Sequence, residues 1–176
     1  SAPAGHIRDF SIKTTFDDHY RNAALMVDAK VKNYGKSPLP ETNLNVKLYD
    51  GQTAVAGVAA TASVPALQPG EEKTIQVSIP VKAPAKWTAE TPRMYTTVLQ
   101  LNDEILSSFT GFRDVKITGR SLLVNGVPVK LKGVNRHENW PETGHSLDDE
   151  QMIRDLVLIK QANCNHVRTC HYSDDP

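Results

Sequence analysis

Cysteine is scarce here. Two residues, Cys164 and Cys170, are all that 176 positions hold. Both fall on one expected extended run and its exit, where residues so placed lie about 20 Å apart. That is beyond disulfide reach. Without a second clustered pair they supply too few soft ligands for a metal site. Free thiols in a packed interior are therefore expected, with no metal and no cofactor held by this chain. Net charge is missing too, since 20 basic residues balance 20 acidic ones. A balanced chain offers no attractive field to nucleic acid or another polyanion, so no nucleic-acid partner is expected. No apolar run approaches the roughly 18 residues that mark a membrane-spanning helix. No glycine-rich stretch has phosphate-loop spacing. The start, Ser1-Ala2-Pro3-Ala4-Gly5, lacks the basic and apolar regions of a signal peptide. It is expected to be a linker or cut site, with the native N-terminus missing and the compartment left unknown.

What is present first is alternation. Ile7 to Phe16 reads as a strand with Phe10, Ile12 and Thr14 on one face. Leu25 to Lys32 and Leu44 to Tyr49 alternate apolar and polar, as half-buried strands do. Asn33 to Pro38 is a turn cluster between them, and Asp50-Gly51 closes the second with a hairpin signal. Weak alternation from Val55 to Val64 suggests an edge strand. Thr74 to Pro80, Tyr95 to Leu101 and Ile105 to Ile117 complete a set of about seven. Short strands with turns and no helix favour an immunoglobulin-like β-sandwich over residues 1–119. Aromatic residues make up only 6% of the chain, so the large ones need a purpose. Trp87 and Tyr95 are expected to pack in the core or between domains.

Past Gly119 the pattern changes. Asn125-Gly126 lies between Leu122–Val124 and Val127–Val129, a strong hairpin signal. The apolar run Val127–Leu131 leads to a first polar block, Gly133-Val134-Asn135-Arg136-His137-Glu138. Asp148 to Asn163 reads as one amphipathic helix, with Ser146 or Asp148 able to cap it and Asp149 and Glu150 suited to its positive end. Cys164 to Val167 then leads into a second block, Asn165-His166-Val167-Arg168-Thr169-Cys170-His171-Tyr172. Strand, helix, strand with polar residues at the strand ends is the opening of a βα barrel, in which such ends carry function. The fold class expected is thus mostly β, a sandwich followed by the first βα segment of a TIM barrel over residues 120–176. A full barrel needs about 250 residues. The chain is therefore expected to be a fragment, with strand edges and an apolar helix face left uncovered.

Several side chains near the blocks could carry chemistry. Glu138 and Glu142 are the glutamates closest to the first block, either as an acid/base or as loop carboxylates orienting Arg136 or His137. Trp140 could serve as a platform for a pyranose or simply pack its loop. His137 and His171 could be satisfied structural histidines or ligand contacts.

GVNRHE, LIKQANCNHVR and HVRTCHY together resemble glycoside hydrolase family 2, and within it the β-galactosidases. Looser resemblance extends upstream through Trp87–Tyr95 and Gly111-Phe112-Arg113. Arg136 stands where a β-glucuronidase usually has Lys, and a β-mannosidase departs further. One departure is Ser173 after Tyr172, where the family reads His-Tyr-Pro and Pro would fix φ. The resemblance implies a retaining enzyme acting on terminal β-D-galactosyl residues, a carbohydrate partner and no membrane, with a homo-oligomer left open. It implies substrate or transition-state contact for His137, His171 and Arg168. Asn135, Arg136, Glu138, Trp140 and Tyr172 would form the pocket wall. The two catalytic glutamates, and the ligands of a divalent cation (Mg2+) used by the full-length parent, would lie downstream, so none of the catalytic pair belongs to this chain. Bacterial cytoplasm or periplasm is the expected location. The rival reading is a non-catalytic binding or scaffold module, or a family 2 enzyme for glucuronate or mannose.

Overall fold

The computed structural model describes residues 3–170; the expected functional residues His171 and Tyr172 lie outside them. Seven strands build the sandwich: β1 (Gly5–Phe16), β2 (Ala23–Asn33), β3 (Thr42–Asp50), β4 (Thr53–Val64), β5 (Glu72–Val81), β6 (Tyr95–Leu101) and β7 (Glu104–Thr110). They form two antiparallel sheets, ordered β1-β2-β5 and β4-β3-β6-β7. Alternation decides which side chains meet between the sheets. Every second residue of β2 is buried, and Leu25, Val27 and Ala29 have no exposed surface. Leu44, Val46 and Leu48 of β3 and Leu99 of β6 face them across the core. Each fully buried Val or Leu contributes roughly 1.5–3 kcal/mol. β4 is an edge strand, as its weak alternation suggested. In β1 a bulge between Ile7 and Asp9 lets Ile7 and Phe10 both turn inward despite their odd spacing.

Two expectations need correction. Ile105 to Ile117 is not one strand: β7 ends at Thr110, and β8 (Val115–Thr118) begins after a break. The break lets Phe112 bury completely and meet Tyr95 edge-on at 5.3 Å. Nor is Cys164 interior; it is half-buried, and only Cys170 is buried, both as free thiols. Tyr95 packs in the core as expected, whereas Trp87 is half-buried.

β8 pairs with β9 (Ser121–Val124) in antiparallel register, and β10 (Val127–Val129) follows the Asn125-Gly126 turn. Both turn residues have positive φ, 52° and 76°, which Asn and Gly tolerate. A Cβ on Gly126 would also lie 2.7 Å from the Tyr20 ring, so the turn admits glycine there. Asn125 is buried and bonds through both heteroatoms of its side chain. Its N–H donates to the Asp114 carbonyl, its Oδ1 accepts from the Asp114 N–H, and its Nδ2 donates to the Trp87 carbonyl. These bonds keep the turn with the sandwich. The chain divides into compact units at Val127/Pro128, beyond Gly119.

A second buried amide, Asn33, has no exposed surface. Its Nδ2 donates to the carbonyls of Ser37 and Leu67, and its Oδ1 accepts from the Gly35 N–H. Asn33→Ala removes three hydrogen bonds at a fully buried position and leaves the Leu67 carbonyl only its bond from the Leu39 N–H, so about 1–3 kcal/mol of stability should be lost. Urea unfolding of the whole chain measures it, and an unchanged midpoint would show that water replaces the amide.

The β1–β2 turn is closed by Asp17. Its carboxylate accepts from the N–H of Arg21 and from the N–H and side-chain amide of Asn22. The hydrogen bond from the Arg21 backbone is the largest cause that lowers its pKa below the usual carboxylate value. A depressed folded pKa gives stability that is present above the unfolded pKa and lost as pH falls through the folded one. Thermal melts at descending pH should therefore lose stability in the acid range, and Asp17→Asn should flatten that loss.

Candidate functional site

The second unit contains one βαβ element: β11 (Gly133–Arg136), α1 (Asp149–Gln161) and β12 (His166–Thr169). Asp148 caps α1 in a capping box with Gln151, each side chain bonding the other's backbone N–H. The acidic residues of the first turn and Lys160 in the last suit the helix dipole. The polar blocks are placed differently from the expectation. They do not follow apolar strands; they are the strands. Val127–Leu131 is extended only to Val129, and the parallel pair uses Gly133–Arg136 and His166–Thr169.

Two features fix this pair. A Cβ on Gly133 would lie 2.3 Å from the His166 carbonyl oxygen, so the two backbones approach only because Gly133 has no side chain. Asn165 then acts as a clasp. Its N–H donates to the Lys132 carbonyl, its Oδ1 accepts from the Lys132 N–H, and its Nδ2 donates to the Lys130 carbonyl. The resulting register sets Asn135 beside Arg168 and Arg136 beside Thr169.

Alternation sorts the first block into two faces. The Arg136 side chain, 11% exposed, reaches Asp155 of α1, with Nε 3.1 Å from Oδ2, and lies 3.5 Å from Glu138. Its Nη2 is buried and has no hydrogen-bond partner among the described residues. Arg136 thus ties the strand to the helix. Asn135 and Arg168 stand together on the opposite face, both exposed, and His137 follows just past the strand end. A carboxamide, a guanidinium and an imidazole there can donate to and accept from sugar hydroxyls or hold a carboxylate.

The loop beyond is shaped by its own bonds. Trp140 and Gly144 exchange backbone hydrogen bonds at 2.8 and 2.9 Å. His145 Nδ1 lies 2.9 Å from the Glu138 carbonyl, which can only accept, so Nδ1 donates. The Arg154 guanidinium sits 5.7 Å from the Trp140 ring centroid, which favours loop packing and occupies one ring face. Glu142 is exposed in the same loop. Asp155 and Asn165 had no assigned role in the sequence. The signal for Asn165 was its place at the head of the second block. Asp155 shows only as an acid on the helix between two blocks rich in cations.

Among the described residues, no group of three His, Cys, Asp or Glu side chains could hold a metal ion, and no helix is long and apolar enough to cross a membrane.

Comparison with known proteins decides the family. The family model described as glycosyl hydrolases family 2 matches residues 5–113, and that of the family's TIM barrel domain matches residues 115–176. The chain belongs to glycosyl hydrolase family 2. A curated relative, a β-galactosidase of Priestia megaterium, is 36% identical over 99% of this chain. The chain spans 17% of that relative's length. Among solved structures, a β-glucuronidase 2 of Bacteroides uniformis covalently bound to cyclophellitol-6-carboxylate aziridine aligns with TM-score 0.84 and 27% identity, over 99% of this chain and 22% of that one. A β-galacturonidase of Eisenbergiella tayi bound to galacturonate aligns with TM-score 0.86 at 24% identity, over 99% of this chain and 30% of that one, and shows the shared fold. The two family matches meet between Arg113 and Val115, at the break that follows β7.

Gly133→Ala should separate β11 from β12, since a methyl cannot coexist with the His166 carbonyl. Amide hydrogen exchange should lose protection at the β11–β12 pair and keep it in β2, β3 and β6. Retained protection at Asn135 and Arg136 would refute the close-approach argument.

Proposed function

We propose that this family 2 chain belongs to a β-galactosidase that hydrolyses terminal β-D-galactosyl residues with retention. The observation that carries the reading is the 36% identity to a β-galactosidase across nearly the whole chain, joined to the strand-end cluster of Asn135, His137 and Arg168. Retaining hydrolysis needs two carboxylates roughly 5 Å apart. Glu138 is engaged beside Arg136 and Glu142 lies on the exposed loop, so neither supplies such a pair here. The catalytic glutamates are assigned to the remainder of the parent, as are the ligands of its divalent cation. His137, with His171, contacts the sugar hydroxyls, and Arg168 holds a carboxylate in its charged form. Asn135 lines the same face as Arg168, while Arg136 keeps the strand end fixed to the helix. A uronate-cleaving parent is the second reading, favoured by the likeness to the Bacteroides uniformis β-glucuronidase.

The 176-residue chain should not turn over chromogenic β-galactosides, and activity abolished by Glu138→Gln would overturn that. In the full parent, a panel of β-galactoside, β-glucuronide and β-galacturonide separates the two sugar readings. His137→Ala and Arg168→Ala should each lower kcat and kcat/KM by roughly 10²–10³, the usual loss of a transition-state donor. Melting temperatures of the same preparations should change little. Near-normal kcat with a large stability loss would make the residue structural.

A further inference from the structure

A sizeable cleft of the described structure lies away from the polar blocks. It holds about 560 Å³ and is lined wholly by the first unit, where the sandwich opens between its edge strands β1 and β7. That volume falls in the range of small-molecule sites, roughly 300–1,000 Å³. We propose that this cleft binds an acidic saccharide, pyranose units bearing carboxylates. The proposal does not depend on which sugar the parent cleaves.

Three features of the lining select this ligand. The first is apolar surface of the kind that stacks on the C–H face of a pyranose. Trp87, Phe109 and Met94 line the cleft, with Phe109 76% and Met94 42% exposed. Trp87 is held in place: its N–H donates to the Phe112 carbonyl, and Gly111 lets it pack so closely that a Cβ there would lie 3.1 Å from the ring.

The second is charge of one sign. Lys13 and Arg113 line the cleft, and no Asp or Glu does. Neither cation is held in a salt bridge among the described residues, so both charges face the cleft's solvent. The Arg113 guanidinium lies 4.6 Å from the Trp87 ring centroid, so cation and aromatic form one platform. A carboxylated sugar would meet both at once. The smaller cleft, about 220 Å³ beside Leu39, Pro40 and Glu41, makes the contrast: it contains one carboxylate and no cation.

The third is hydroxyl-compatible polarity. Ser108 and Thr15 line the cleft, and each bordering strand is the last of its sheet, with backbone donors and acceptors on its open side. Thr14 and Thr110 are already committed, to the Gly111–Arg113 backbone and to Thr97.

The test is calorimetric titration of the 176-residue chain with a galacturonate disaccharide and with the matching neutral galactose disaccharide. The acidic ligand should bind saturably and several-fold more tightly, with the difference shrinking as salt rises. Trp87→Ala should weaken both ligands about ten-fold. Lys13→Gln and Arg113→Gln should remove the preference and leave the neutral ligand unchanged, and Arg168→Ala should leave binding intact. Thermal melts accompany each variant, and Phe109→Ser replaces Trp87→Ala should the latter fail to fold. Equal affinity for the two sugars, absence of saturable binding, or binding undiminished in the aromatic variants overturns the proposal. So does loss of binding in Arg168→Ala, or saturable binding of an extended peptide in place of the saccharide.

Discussion

The polar residues of the second unit are ordered by one constraint, the close parallel approach of β11 and β12. It exists because Gly133 presents no side chain to the His166 carbonyl and because Asn165 bonds both Lys130 and Lys132. The register follows, and with it the pairing of Asn135 with Arg168. Shift the register by one residue and each side chain changes face. Arg136 would then leave Asp155, and the exposed cluster would lose its guanidinium. A backbone contact between two small regions of sequence therefore decides which polar groups can act together.

The sandwich uses a different economy. Aliphatic alternation holds the two sheets, and a few buried amides settle what alternation cannot. Asn33 satisfies the backbone where β2 meets the following turn, and Asn125 fastens the β9–β10 turn to Asp114 and Trp87. Buried polar groups of this kind specify one arrangement because any other leaves them unpaired. The sandwich closes its core yet remains open at one end, between β1 and β7, where Trp87, Arg113 and Phe109 stay accessible.

The βα element carries its apolar surface outward. Ile153, Leu156, Val157 and Leu158 of α1 are each about half exposed or more, and α1 has no buried residue. Two strands are too narrow to cover an amphipathic helix with a wide apolar face. The capping box and charge pattern, rather than burial, define where this helix starts and ends. Arg136, Asp155 and Glu138 form an ion-pair network between the strand end and the helix.

The sequence by itself determined the strands of the sandwich, because apolar alternation with period two has one stable outcome once two sheets can bury it. It also determined α1 to within two residues at its C-terminal end, through Asp148 and the charges around it, and it carried the family in GVNRHE and HVRTCHY. It did not show that Ile105–Ile117 breaks, because only the core makes room for Phe112 to turn inward. Nor did it show that the polar blocks form the strands themselves, because polar residues are admitted there by the Gly133 approach and the Asn165 clasp rather than by periodicity. Tertiary structure alone separated Arg136 from Asn135, neighbours in sequence. A strand sends successive side chains to opposite faces, and the position of α1 decided which face became a tie and which stayed open.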